Sequence, residues 1–402
     1  MKALIAPFSF LLPILLVACS DDDSPTNSGT HEQIFLADTT THLATDILTF
    51  YGGAGWDWGT AIVALPGGGY AASGSTDSWG VGKNTLYVMR IDSTGKVLWG
   101  KIFGGSGEDN AEAMAVTSDD NLIIGGVTSS FSGNYDFYLL KVSLDSALIW
   151  QKSIGTADFE WGTDIAVLND GYAICGYSIP SGGSDGGNFK LVRTDLNGNV
   201  TWSKTYDYPD REWPYAMTAT SDGGFLMAGL IHYAGTNNID MYAIKTDDTG
   251  GVVWVDSLGG NGDDKAFAVT ECSGGGYVIA GSSRSFSLNN QETIYVVKVD
   301  ANGTFLWDKY FDESGGLQAR DILENPDGTF MLTGITTSTG SGTGLAKLDA
   351  SGNLLWNENI GLVGTGMSLI RDGAGQYAVT GFATDSLAFG ETDVLLMHVS
   401  ER

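Results

Sequence analysis

One unit returns seven times along this chain, and every reading of the fold has to begin from it. Its first mark is an aromatic residue four places before a glycine: Tyr70/Gly74, Leu122/Gly126, Tyr172/Gly176, Phe225/Gly229, Tyr277/Gly281, Phe330/Gly334 and Tyr377/Gly381, with Leu122 the one departure. Its second mark is an aspartate seven places before a tryptophan, at Asp92/Trp99, Asp195/Trp202, Asp247/Trp254, Asp300/Trp307 and Asp349/Trp356, with Ser143/Trp150 as the variant. Consecutive tryptophans lie 51, 52, 52, 53 and 49 residues apart. A fixed period of that length marks a repeat architecture, in which no unit can bury its apolar faces alone.

Each unit reads as four short strands, A to D, bounded by turn residues. In the second unit these are 113–116, 122–128, 137–142 and 148–154. The A to B turns are rich in Asp and Gly, as in Asn169-Asp170-Gly171, and the C to D turns follow Asp-x-x-Gly, as in Asp195 to Gly198. Both supply the positive-φ positions that tight hairpins need. The last unit stops after a third strand at 394–399, while 47–51 reads as a fourth strand with no unit before it. The expected fold is therefore all-β: a seven-bladed β-propeller of four-stranded antiparallel blades, its ring closed by the N-terminal strand completing the last blade. A linear solenoid is the competing architecture, and the complementary broken ends argue against it. Over residues 46–402 the pattern resembles seven-bladed bacterial propellers with repeats of the pyrroloquinoline-quinone-dehydrogenase type. The resemblance implies a quinone pocket that these residues do not assemble. The Asp-x-x-Gly-x-x-x-Trp element also resembles a piece of bulb-type lectins, but their Gln-x-Asp-x-Asn-x-Val-x-Tyr mannose motif has no copy here.

Ahead of the repeats, Lys2, an apolar run and Leu16-Val17-Ala18-Cys19 form a short signal peptide. The last four residues resemble a bacterial lipobox, which implies acylation of Cys19. Ser20-Asp21-Asp22-Asp23 resembles the surface-export signal of Bacteroidetes lipoproteins; read without that resemblance it is a solvated linker. The expected organisation is a signal peptide at 1–18, a lipidated cysteine and flexible acidic linker at 19–44, and the propeller at 45–402. The expected location is the bacterial outer membrane, lipid-anchored and facing the medium.

A formal net charge of −28, one unit more negative once Lys2 leaves with the signal, repels nucleic acid and anionic lipid. The membrane is thus expected to be touched through the anchor alone, by a monomer. Fifty-seven glycines against eight prolines favour strands and turns over helix. With Cys19 lipidated, Cys175 and Cys272 remain; they occupy different positions of the unit, so they read as buried small side chains rather than a disulfide.

Two columns carry charge. Arg90, Lys141, Arg193, Lys245, Lys298, Lys347 and His398 recur on strand C, and Asp57, Asp109, Glu160, Glu212 and Asp264 recur in the D to A connection, with Leu317 and Thr365 at about that place in the last two units. The acids are expected either to pair with the cationic column and cap loop amides, or to ring the face where D to A and B to C connections emerge. With Trp56, Trp58, Trp161, Trp213 and Tyr215 beside them, such a ring suits a sugar, whose apolar face stacks and whose hydroxyls donate hydrogen bonds. The tryptophans alternatively pack between blades. Gly52 to Asp57, Gly104 to Asp109 and Gly259 to Asp264 fit GGxGxD, which leaves calcium at a single loop possible although the nine-residue stacking of that signature is absent. Gly182 to Gly186 fits GxSxG by letter, outside the strand-to-helix context that motif requires. No triad, zinc set or phosphate loop can be built, so no catalytic residue, metal site or cofactor is expected. The functional expectation is a non-enzymatic binding module for a glycan or protein partner; the alternatives are a polysaccharide-active glycosidase or lyase, or a structural envelope-assembly lipoprotein.

Overall fold

The computed structural model describes residues 32–33 and 42–402, except 81–83, 183–185, 209–210, 234, 237, 288–290, 312–316, 337–341, 361–363 and 385–390. Cys19 and the signal lie outside the described residues. Six four-stranded antiparallel sheets follow one another along the chain, the first from Asp57–Ala64 to Val97–Phe103 and the sixth from Leu317–Glu324 to Leu354–Asn359. The seventh is completed from the other end of the chain: Leu43–Tyr51 pairs antiparallel with Asp393–Glu401, running from Leu43 opposite Glu401 to Tyr51 opposite Val394. This closes the ring as expected, with a strand that starts four residues before the predicted 47–51. Glu32–Gln33, within the stretch expected to be linker, adds a short pairing to Phe50 and Thr49 on that blade's outer edge.

Successive A strands touch one another around a complete circle, from Asp57–Ala64 through each blade to Gly364–Gly373 and back. They form the inner wall, and the D strands form the rim. Each junction between blades holds its own apolar cluster, such as Val88 with Leu140 and Val142, or Ile123 and Leu139 with Ile165 and Ile174. At the seam, Val394 and Leu396 pack against Ile62 and Tyr87. Because a sheet alternates its side chains between two faces, both faces of every blade are apolar and each is covered by a neighbour. Cys175 and Cys272 are free and buried in two of these clusters.

The repeated turn element works as expected. The Asp195 carboxylate accepts the amides of Asn197 and Asn199 at 2.8 and 2.9 Å, and Asp92, Asp247, Asp300 and Asp349 accept equivalent pairs. Gly198 holds φ 74°, and a β-carbon there would stand 2.8 Å from the ring of Trp150 on the preceding blade. In the second blade, where Ser143 replaces the aspartate, Ser146 takes φ 76° without glycine's freedom.

Strand A is longer than its apolar pattern indicates. In the second blade it runs Asp109–Val116 rather than 113–116, because its first half, Asp109 to Glu112, is polar but for Ala111 and so gives no apolar run. Every A strand also carries a bulge, one extra residue between its pairings with strand B: Thr60, Glu112, Thr163, Tyr215, Phe267, Arg320 and Met367. The bulge explains the glycine of the repeat. A β-carbon at Gly176 would stand 2.0 Å from the carbonyl oxygen of Trp161, and at Gly74 1.7 Å from that of Trp58. Two residues on the bulged strand oppose one on its partner, and the strand bends onto that partner. We expect Gly176→Ala to destabilise the ring by about 3 kcal/mol, seen as a lower thermal midpoint; an unchanged midpoint would mean that the bulge can relax.

Candidate functional site

The bulge aims one side chain per blade at the axis, and the residue two places earlier aims another at the mouth on the loop face. The mouth column reads Trp58, Asn110, Trp161, Trp213, Lys265, Gln318 and Thr365; the bulge column lies beneath it. Contacts between blades confirm that these columns converge. The Trp161 indole donates to Glu112 Oε1 at 3.1 Å, the Tyr215 ring lies 5.2 Å from that of Phe267, and the Arg320 guanidinium lies 4.2 Å above Phe267. Thr60 donates to the carbonyl of Ala111 on the next blade at 2.9 Å.

Around Trp161 the rings form a continuous stack. Tyr135 lies 4.8 Å from Phe159 and 6.1 Å from Trp161, and Phe159 lies 6.1 Å from both Trp161 and Tyr177. Interplanar angles run from 17° to 37°, and all four rings are partly exposed. The Tyr135 hydroxyl donates to Glu108 at 2.6 Å, and Asn84 donates to the other oxygen of that carboxylate. Trp58, Trp56 and Phe382 make a smaller aromatic group across the mouth.

Three carboxyl groups in the inner wall are held above their ordinary range. Burial raises Glu112 to about 7 against the opposing effect of the Trp161 donor. Burial also raises Asp164 to about 7, partly offset by the amides of Met217 and Ile165, with the charge of Asp321 adding to the rise. Asp321, which burial raises to about 6, accepts the amides of Leu369 and Ile322 at 2.7 and 2.8 Å. Asp164 and Asp321 therefore stitch the third A strand to the fourth and the sixth to the seventh.

The acids singled out in the sequence lie elsewhere. Asp57, Asp109, Glu160, Glu212 and Asp264 begin the A strands and are wholly buried. Asp57 accepts Gly53 N at 2.9 Å and the hydroxyls of Ser78 and Thr76; Asp109 accepts Gly105 N at 2.8 Å and the hydroxyls of Ser130 and Thr128. Asp264 accepts Gly260 N at 2.8 Å and Ser285, and Glu160 accepts Thr156 and Lys190. In the three GGxGxD copies the aspartate thus clamps its own loop. Thr365 falls in the mouth column, and Gly364 takes the acid's place in the last blade.

The acids do not pair with the cationic column, contrary to that expectation. Strand C carries those cations toward the opposite face, where Lys141, Arg193 and Lys245 meet the A to B turn acids Asp119, Asp170 and Asp222 at 2.8, 2.5 and 2.9 Å. His398 meets Asp46 and Asp372. Of the GxSxG letters, 183–185 fall outside the described residues. Of the aromatics expected beside the acids, Trp58, Trp161 and Trp213 fall in the mouth column and Tyr215 in the bulge column, whereas Glu112, Phe267 and Arg320 escaped the sequence reading. Their only sequence signal is position, three places after the head of strand A.

The chain is a seven-bladed β-propeller with an aromatic and polar axial mouth. Among proteins it resembles, regulatory protein FlaEY of Caulobacter vibrioides is 25% identical over 338 residues, which are 70% of this chain and 32% of that protein. The chain spans about a third of that relative's length. Among solved structures, puromycin hydrolase superposes with a TM-score of 0.54 at 12% identity, over 82% of this chain and 50% of that one. Sqt1 from Chaetomium thermophilum gives 0.49 at 10% identity, over 90% and 100%. No family model matches the chain.

The raised carboxyl of Glu112 makes a titration prediction. Its folded value of about 7 exceeds the ordinary 4.5, so its contribution to stability is complete below the ordinary value and lost as pH rises through 7. Glu112 as a whole residue is half-buried, so we expect the loss to be about 1–2 kcal/mol. Glu112→Gln keeps the acceptor for Trp161, and its thermal midpoint should decline less than the parent's between mildly acidic and mildly alkaline pH. Parallel declines would refute the assignment.

Proposed function

We propose that this chain is a non-enzymatic binding propeller that takes a glycan at the axial mouth of its loop face, carried on the bacterial surface by a lipid on Cys19. The observation that supports the ligand class is the four-ring stack of Tyr135, Phe159, Trp161 and Tyr177 at that mouth. Parallel, partly exposed rings offer the flat apolar platform that a pyranose face covers. Glu108, Glu112 and the Tyr135 hydroxyl, beside the rings, supply hydrogen-bonding groups for the sugar's edge. Because the rings are locked by mutual stacking and by Glu108, little ordering cost remains for binding. The Caulobacter relative is named for regulation, a role that suits recognition without turnover.

A second reading, a polysaccharide-active enzyme, is favoured by one specific observation. Glu112 and Asp164 hold protons near neutrality, as a general acid must. Glycan-array binding followed by calorimetry separates the readings: the binding module retains its oligosaccharide intact, and the enzyme releases new reducing or unsaturated ends.

Trp161→Ala should lower glycan affinity by at least about tenfold, while Tyr310→Ala on the outer rim leaves it unchanged. Equal affinity in both variants would move the site away from the mouth, and capture of proteins alone would replace the glycan with a protein partner. For the anchor, Cys19→Ala should move the protein from the membrane fraction to the soluble one and abolish fatty-acid labelling; continued labelling would refute acylation at that cysteine.

A further inference from the structure

Arg320 is the bulge residue of the sixth blade and stands at the axis. Among the described residues its guanidinium makes one hydrogen bond, from Nη2 to Gln318 Oε1 at 3.1 Å, and its Nε is buried without a partner. Among the described residues no carboxylate forms an ion pair with it. Glu292, the acid whose charge reaches it, lies 3.5 Å from both Lys265 and Arg284 and also accepts from Gln318. Asp321, next in sequence, turns both oxygens to backbone amides.

In a chain with 48 acidic and 20 basic residues, Arg320 and Arg90 are half-buried arginines without an acid; Arg90, on strand C, gives Nη1 to the Leu144 carbonyl toward the opposite face, and among the described residues Arg320 is the one that stands at the axis without an acid. Four of the cations on strand C have one, at 2.5 to 2.9 Å. Withholding a charge from water costs free energy unless a partner compensates, and stacking on Phe267 compensates only in part. A guanidinium has five donors in a planar fork, and most of this fork is unspent.

We infer that Arg320 is the anion-recognising residue of the axial mouth, and that the glycan bound there is acidic, with a uronate carboxylate seated on the Arg320 fork. This rests on the glycan reading above and names its ligand class. Tyr215, 37% exposed, and Phe267 lie beside the fork and provide the apolar surface for the sugar ring that bears the carboxylate. One unpaired cation matches a singly charged carboxylate. A doubly charged phosphate or several sulfates would face Glu292 and Glu112, and the neighbouring cations Lys265 and Arg284 are already engaged by Glu292.

The test is calorimetry on the full-length protein with a tetragalacturonate, its fully methyl-esterified form, cellotetraose and a sulfated carrageenan tetrasaccharide. Methyl esterification removes the charge from the ligand and leaves the protein untouched, so this arm does not depend on a variant folding. The expected result is that the uronate binds, that esterification weakens it roughly ten- to hundredfold, and that Arg320→Met, with its melting transition checked, shows a similar loss for the uronate and little for its ester. Equal binding of uronate, ester and cellotetraose would overturn the role of Arg320 and leave the glycan reading standing. Binding of the sulfated sugar alone would overturn the uronate assignment. Failure of all four to bind would overturn both.

Discussion

The repeated glycine of strand B and the bulge of strand A are one device, and the inner architecture of the ring follows from it. Each bulged strand drives a carbonyl so close to strand B that a β-carbon would stand 1.7 to 2.0 Å from it. Glycine is the residue that leaves room. In return, an extra side chain per blade is released from the pleat and turned toward the axis. The seven-fold framework thereby presents seven positions that lie outside the apolar clusters between blades and are free to differ.

That freedom explains which parts of the molecule were legible in the sequence. Strand count, ring closure, the capped C to D turns and the free cysteines all rest on residues that recur, or fail to recur, at fixed spacing. The axial residues do not repeat as a column: Thr60, Glu112, Thr163, Tyr215, Phe267, Arg320 and Met367 share a position without a common chemistry. The acids of the strand heads misled for the opposite reason. Asp57, Asp109 and Asp264 repeat because each clamps the same loop, and repetition in a ring of equivalent blades is the mark of framework. Trp161 was legible as an aromatic beside an acid, but its hydrogen bond goes to Glu112 on the neighbouring blade and not to the adjacent Glu160. Spacing within one repeat carries no information about that crossing.

Charge is sorted by depth and by face. The strand C cations meet acids of the A to B turns, and the Asp-x-x-Gly turns gather further acids there, so the negative charge of the chain is concentrated at the surface. Inside, the unusual carboxyls and Arg320 sit at the bulge of an A strand or one place after it, in the second, third and sixth blades. Asp164 and Asp321 take up backbone amides that would otherwise be unpaired between A strands, where most blades have alanine at the same position. The inner wall is thus locally stitched in two places and chemically open in others.

The seam between the two ends of the chain bears on how the ring forms. Asp46 bonds His398 across 352 residues, and Leu43–Tyr51 has no sheet to join until Asp393–Glu401 exists. Each of the first six blades closes with contacts inside some fifty residues, whereas the seventh needs the longest loop closure the chain can make. During synthesis Leu43–Tyr51, with only Glu32–Gln33 beside it, therefore keeps an open edge until Asp393–Glu401 is made, and completion of the ring is a single late event.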